Sequence, residues 1–178
     1  MNVKTPLPPP SEIIARMGWS RAMLITAGGL GFIQPFGGTW GSLPPAVVAF
    51  LLAWAAVPEW QLNMSLVVLG LIGCVACLRF GSLAEEAYGR KDPNPVVADE
   101  IAGQAIALLV LPWHLGEFWW NAFLAGSAFV VFRIIDIIKP PPARNLEHIK
   151  GGMGILVDDL VAGAMALVVV QLAWRLLL

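Results

Sequence analysis

The sequence predicts an all-α, polytopic membrane bundle, and three observations predict it. Of its 178 residues, 58% are apolar and 13% charged, against roughly 45–50% and 25% in an ordinary soluble domain. The mean hydropathy of +0.75 is more than a 19.1 kDa globule could hide from water. The apolar residues are also gathered into runs at about 43–57, 62–78, 101–112, 118–138 and 155–178, each reading as helix by length and composition. Three of these approach the roughly 20 residues that a spanning helix needs. The other two, 43–57 and 101–112, are short unless flanking residues such as Thr39 to Ser42 or Val96 to Glu100 extend them. About five crossings are expected.

The elements follow in chain order. Residues 1–21 carry Pro6, Pro8, Pro9 and Pro10 together with Lys4, Arg16 and Arg21. Proline breaks a helix interior, so this stretch reads as a cytoplasmic tail ending in a short amphipathic helix over 11–20, not as a secretory signal. Ala22 to Phe36 is apolar but interrupted by Gly28, Gly29 and Gly31, which fits an interfacial or re-entrant segment packed on the bundle. From residue 22 to 178 there is one helical membrane domain with no internal repeat. Cys74 and Cys77 sit inside an apolar run, and a lone C-x-x-C lacks the second pair that a zinc site needs, so both read as packing residues. The net charge of -1 gives no global field to attract nucleic acid.

Lysine and arginine set the orientation, because cytoplasmic loops carry their excess. The tail, the connection 79–100 (Arg79, Arg90, Lys91) and the connection 139–154 (Lys139, Arg144, Lys150) are basic, whereas 58–61 and 113–117 hold no Lys or Arg. The amino terminus is therefore expected inside and the carboxyl terminus outside. Trp54, Trp60, Trp113, Trp119, Trp120 and Trp174 would form the outer aromatic belt.

With that topology most acids share the cytoplasmic face. Asp136, Asp158 and Asp159 lie in or at the edge of apolar helices, where an unpartnered carboxylate is costly and marks a functional site. Pairing of Arg133 with Asp136, and of Asp136 with Lys139, at i,i+3 explains part of this. The helix dipole would explain acids at a helix start. Intrahelical pairing does not explain two adjacent-acid pairs, Asp99-Glu100 and Asp158-Asp159, each read as opening a helix, and for those two the dipole is the structural alternative. Neighbours on a helix diverge by about 100°, so one acid of each pair is expected to face the bundle and the other a loop.

Converging carboxylates suit a hard cation, and Mg²⁺ is commonly held by one or two carboxylates plus substrate phosphate. Arg133, Lys139 and Arg144 stand beside these acids as phosphate ligands. Pro140, Pro141 and Pro142 hold the last two apart on a stiff loop. Thr39 and Ser42 supply hydroxyls either to phosphate or to cap the next helix. Gly151, Gly152 and Gly154 read as an anion-binding turn, or as a close helix contact. Gly103 and Gly163, four residues beyond Asp99 and Asp159, would let their helices approach and draw the acids together. No cysteine, aspartyl or histidine phosphatase motif accompanies these residues.

The stretches Gly38–Leu43 (GTWGSL), Lys91–Gly103 (KDPNPVVADEIAG), Phe132–Pro142 (FRIIDIIKPPP) and Gly151–Gly163 (GGMGILVDDLVAG) together resemble the phosphatidylglycerophosphatase A family. The similarity runs from about Gly28 to Ala166. It implies an all-helical, Mg²⁺-dependent lipid phosphatase of the bacterial inner membrane. Such an enzyme hydrolyses the phosphomonoester of phosphatidylglycerophosphate to phosphatidylglycerol and inorganic phosphate. The resemblance assigns Asp99, Glu100, Asp136, Asp158 and Asp159 to catalysis and metal binding. Arg133, Lys139 and the Thr39–Ser42 segment match the family's other polar positions. A cation-coupled transporter is the alternative for intramembrane acids, though the acids lie at one face and no inverted repeat is present. A scaffold with acids that merely cap helices is a third. Oligomeric state is not legible in the sequence.

Overall fold

The computed structural model describes residues 6–141 and 151–176, which form seven α-helices, with no strand among the described residues. The amphipathic start is two short helices, not one. Helix α1 (Pro10–Met17) begins on proline, which suits a first helical position, and buries Ile13 and Met17 on one face. Gly18 turns the chain with φ +84° into α2 (Trp19–Ile25), which buries Ala22 and Ile25. Both dock on α4. Residues 26–36 pass through a single 3₁₀ turn, Leu30–Phe32.

Helix α3 (Gly37–Trp54) starts earlier than its apolar run and contains Pro44 and Pro45, which remove two ladder donors. Helix α4 (Glu59–Tyr88) follows Pro58 and stops at Gly89, in the left-handed conformation common at helix ends. Helix α5 (Ala98–Ala107) is a ten-residue helix packed against α3, α4, α6 and α7. Helices α6 (Phe118–Ile138) and α7 (Gly152–Leu176) complete the bundle.

Three helices, α4, α6 and α7, are long and apolar enough to cross a membrane. Among the described residues, three helices thus qualify where about five crossings were expected. Helix α5 spans only about 15 Å, because the chain leaves it at Leu108 toward Val110, which has φ +47°, and Pro112. Helix α3 falls short because its first half, GGTWGSLPP, is too polar and too rich in glycine and proline. The outward faces of the long helices are apolar, with Leu71, Val75 and Leu78 on α4 and Val130, Ile134 and Ile137 on α6 exposed, as lipid contact requires.

Small residues set the closest crossings. A Cβ on Gly163 of α7 would lie 3.0 Å from Cα of Gly103 on α5, and one on Gly103 would lie 2.5 Å from the Asp159 carbonyl oxygen. The expected approach of these helices is therefore realised. Gly152 makes a similar contact with Gly81 of α4, so it serves helix packing within α7 and does not form an anion-binding turn before it. Trp54 stacks edge-on against Phe118, and Trp120 against Trp174, at the end where α3 and α7 finish and α6 begins. Trp113 is buried, so it is a core residue and not part of an aromatic belt.

Candidate active site

At the opposite end, the start of α3, the start of α5, the end of α6 and the first third of α7 enclose a cavity of about 320 Å³. Asp99, Glu100, Asp136, Asp158 and Asp159 all line it, together with Arg133, Lys139 and Thr39. Three helices far apart in sequence, α5, α6 and α7, thus present these five carboxylates and two cations to one space, and α3 adds its amino-terminal end. Both members of each adjacent-acid pair face the cavity, contrary to the expected split between bundle and loop. Asp99, Asp158 and Asp159 are each no more than 6% exposed. Only Asp99-Glu100 occupies a first helical turn; Asp158-Asp159 begins six residues inside α7, so the helix dipole accounts for one pair and not the other.

Arg133 organises one wall. Its Nη1 donates to Asp136 Oδ2 at 2.7 Å, reaches Glu100 Oε1 at 3.5 Å and donates to Ser42 Oγ at 3.3 Å. The Arg133–Asp136 pair is the expected i,i+3 contact. Ser42 in turn donates to the Gly38 carbonyl at 2.8 Å. It lies inside α3 against Arg133, so it caps no helix, and it is not among the residues that line the cavity. Thr39 also lies inside α3, and no side chain caps that helix. The first backbone N–H groups of a helix have no partner within it, and Gly37, Gly38 and Thr39, which carry those of α3, line the cavity.

Lys139 holds the other wall. It ends α6 in the left-handed conformation, φ +47°, and donates to Asp158 Oδ2 of α7. Burial opposes its charge, but the Asp158 carboxylate holds the ammonium above its ordinary range, so it remains a cation. Asp92, with φ +44°, also lines the cavity, and Asn94 stands beside it. These two residues were not singled out from the sequence as site residues; the lysine-aspartate-proline-asparagine run before α5 was the available signal. Two non-glycine residues with positive φ at one cavity are the kind of backbone strain that clusters at functional sites. Arg144 lies outside the described residues.

The carboxylates are not saturated by protein partners. Asp99 Oδ1, Glu100 Oε2, Asp158 Oδ1 and Asp159 Oδ2 are buried without a hydrogen-bond partner. Buried polar atoms are rarely left unpaired. Among the described residues no three Asp, Glu, His or Cys side chains are already drawn into a metal cage. In donor chemistry and number the acids nevertheless fit a hard divalent cation, which takes oxygen ligands from few protein groups.

Residues 23–174 match the family model described as Phosphatidylglycerophosphatase A. A phosphatidylglycerophosphatase A of Escherichia coli K12 is 37% identical over 139 residues, covering 78% of this chain and 73% of that protein. One from Haemophilus influenzae is 34% identical over 150 residues, covering 83% and 85%. A Bacteroides thetaiotaomicron protein, provisionally named a phosphatidylinositol-3-phosphatase, is 32% identical over 149 residues, covering 83% and 89%. No solved structure matches the chain.

Proposed function

The chain belongs to the phosphatidylglycerophosphatase A family, a family of phosphatases, and from that premise we propose that it hydrolyses phosphatidylglycerophosphate at the cytoplasmic face of a bacterial inner membrane. Water attacks phosphorus in line, the ester P–O bond breaks, and phosphatidylglycerol and inorganic phosphate leave. The observation that carries the reading is the set of four buried, unpartnered carboxylate oxygens belonging to residues that line one cavity.

Asp99, Glu100, Asp136, Asp158 and Asp159 would hold Mg²⁺, which when bound supplies Lewis-acid polarisation of phosphate oxygens and offsets the local negative charge. Arg133 and Lys139 neutralise charge on the transferring phosphoryl group, the main demand of such reactions. Thr39 and the amides at the start of α3, which have no partner within the helix, are placed to donate to its oxygens. The pairs Arg133–Asp136 and Lys139–Asp158 keep both cations aimed at the cavity before substrate arrives, so little ordering remains for the binding step. The tails would stay in the bilayer alongside the apolar outer faces. A cytoplasmic location is supported by Arg90, Lys91 and Lys139, which lie at the cavity end of the bundle, and by the basic tail. The transporter reading finds no support among relatives that are each named for a phosphatase.

The name of the Bacteroides relative favours a second substrate, a phosphoinositide monoester. Phosphate release by the purified protein from phosphatidylglycerophosphate, phosphatidylinositol 3-phosphate and phosphatidic acid, with and without EDTA, tests the proposal. Mg²⁺-restored release that is fastest from phosphatidylglycerophosphate is expected. Equal release in excess EDTA would remove the metal from the mechanism.

A further inference from the structure

An apolar seam adjoins the candidate active site along two of the helices that build it, and a second apolar pocket lies between α4, α5 and α7. The seam between α3 and α6 is lined by Leu43, Val47 and Phe50 on one side and Ala122, Gly126 and Phe129 on the other, and encloses about 210 Å³. Helices α3 and α6 run antiparallel, since Thr39 and Arg133 meet at the cavity while Trp54 and Phe118 meet at the far end. Leu43 lies one turn beyond Thr39, and Phe129 one turn before Arg133. The head of the seam therefore begins about one turn from the groups assigned to the phosphate.

Its length and shape match one kind of occupant. Leu43 to Phe50, the part of α3 that lines the seam, is about 10 Å of helix at 1.5 Å per residue, and its foot lies about 16 Å along α3 from Thr39, about half of the roughly 30 Å hydrocarbon core and so the depth of one leaflet. Gly126 sits in mid-helix, where glycine is unfavourable, yet a Cβ there would meet nothing within 4 Å. Helix packing does not require that glycine; its effect is to deepen the seam. The comparable apolar groove formed by α2 and α4 is built from helices that contribute no residue to the acidic cavity.

We propose that the α3–α6 seam binds an acyl chain of the lipid whose phosphate occupies the acidic cavity, an inference that rests on the lipid-phosphatase reading above. The seam fixes chain depth and thereby places the ester at the carboxylates.

Two measurements on the full-length protein in detergent micelles test it. In Gly126→Leu, which fills the seam, kcat/KM should fall tenfold or more for long-chain phosphatidylglycerophosphate, mainly through KM. It should change less than twofold for the dihexanoyl lipid, and Gly126→Ala should stay near wild type. Equal losses on both lipids, or none on either, would overturn the proposal. Separately, a long-chain phosphatidylglycerophosphate carrying a mid-chain diazirine should crosslink to peptides from 43–50 and 122–129. Crosslinks confined to α4, or a dimer that Gly126→Leu dissociates, would overturn it as well. Wild-type protein labelled on the seam but hydrolysing neither lipid would sink the reaction and leave the acyl site standing.

Discussion

Arg133 ties together three elements at once, touching Ser42 of α3, Glu100 of α5 and Asp136 of its own helix. A lysine keeps the charge but loses the planar fork. Phosphate release by Arg133→Lys should therefore fall at least tenfold, and Arg133→Ala should fall further because Glu100 is left buried without its partner. Ser42→Ala removes one supporting hydrogen bond, worth about 1 kcal/mol, and should cost only about fivefold in kcat/KM. Asp159→Asn separates function from folding more sharply. The crowded, buried carboxylates repel one another, so removing one charge should leave thermal stability in EDTA equal or higher, while Mg²⁺-dependent turnover drops by orders of magnitude. A variant with wild-type turnover would take Asp159 out of the site. None of this wiring around Ser42 was legible in the sequence, because its partner lies 91 residues away. The acids themselves were legible, since carboxylates in apolar helices have few other uses.

Among the elements, α5 carries the architecture. It is short and buried, and it brings Asp99 and Glu100 to the cavity by crossing α7 at Gly103 and Gly163. Gly103→Val would drive a side chain into the Asp159 carbonyl and the Phe132 ring, whose nearest carbon would stand 2.7 Å from the new Cβ. Overpacking of this kind costs typically about 1–3 kcal/mol. The variant should melt at lower temperature and lose activity with it, measured by thermal unfolding in detergent. The glycine spacing announced this crossing, but the helix boundaries were less readable. The run 101–112 looks continuous by composition, and only the turn at Val110 shows that the helix has ended. Gly151 to Gly154 look like a loop by composition, yet α7 already begins at Gly152, where close packing on α4 tolerates no side chain. Local propensity lost to tertiary contact in that segment, which is why Asp158-Asp159 was misread as a helix start.

At the scale of the molecule, the two ends differ in chemistry. The acidic cavity, Arg90, Lys91 and Lys139 lie at one end, and the Trp54, Phe118, Trp120 and Trp174 contacts at the other. The chain also travels between these ends five times, through α3, α4, the α5 segment to residue 117, α6 and α7. Val110 is tied to Asn63 and Gln171 near the far ends of α4 and α7. Among the described residues only three of these passes, α4, α6 and α7, have the length and hydropathy of a span, so the count of apolar runs did not translate into a count of crossings. Because both ends are defined, orientation is testable with two exposed positions, Lys91 at the cavity end and Glu117 at the aromatic end. In a background where Cys74 and Cys77 are replaced, Lys91→Cys and Glu117→Cys can be exposed to a membrane-impermeant maleimide. Basic residues are retained on the cytoplasmic side, so intact spheroplasts should label position 117 and leave position 91 unmodified until lysis. The reverse pattern would put the carboxylates outside the cell and overturn the proposed cytoplasmic site.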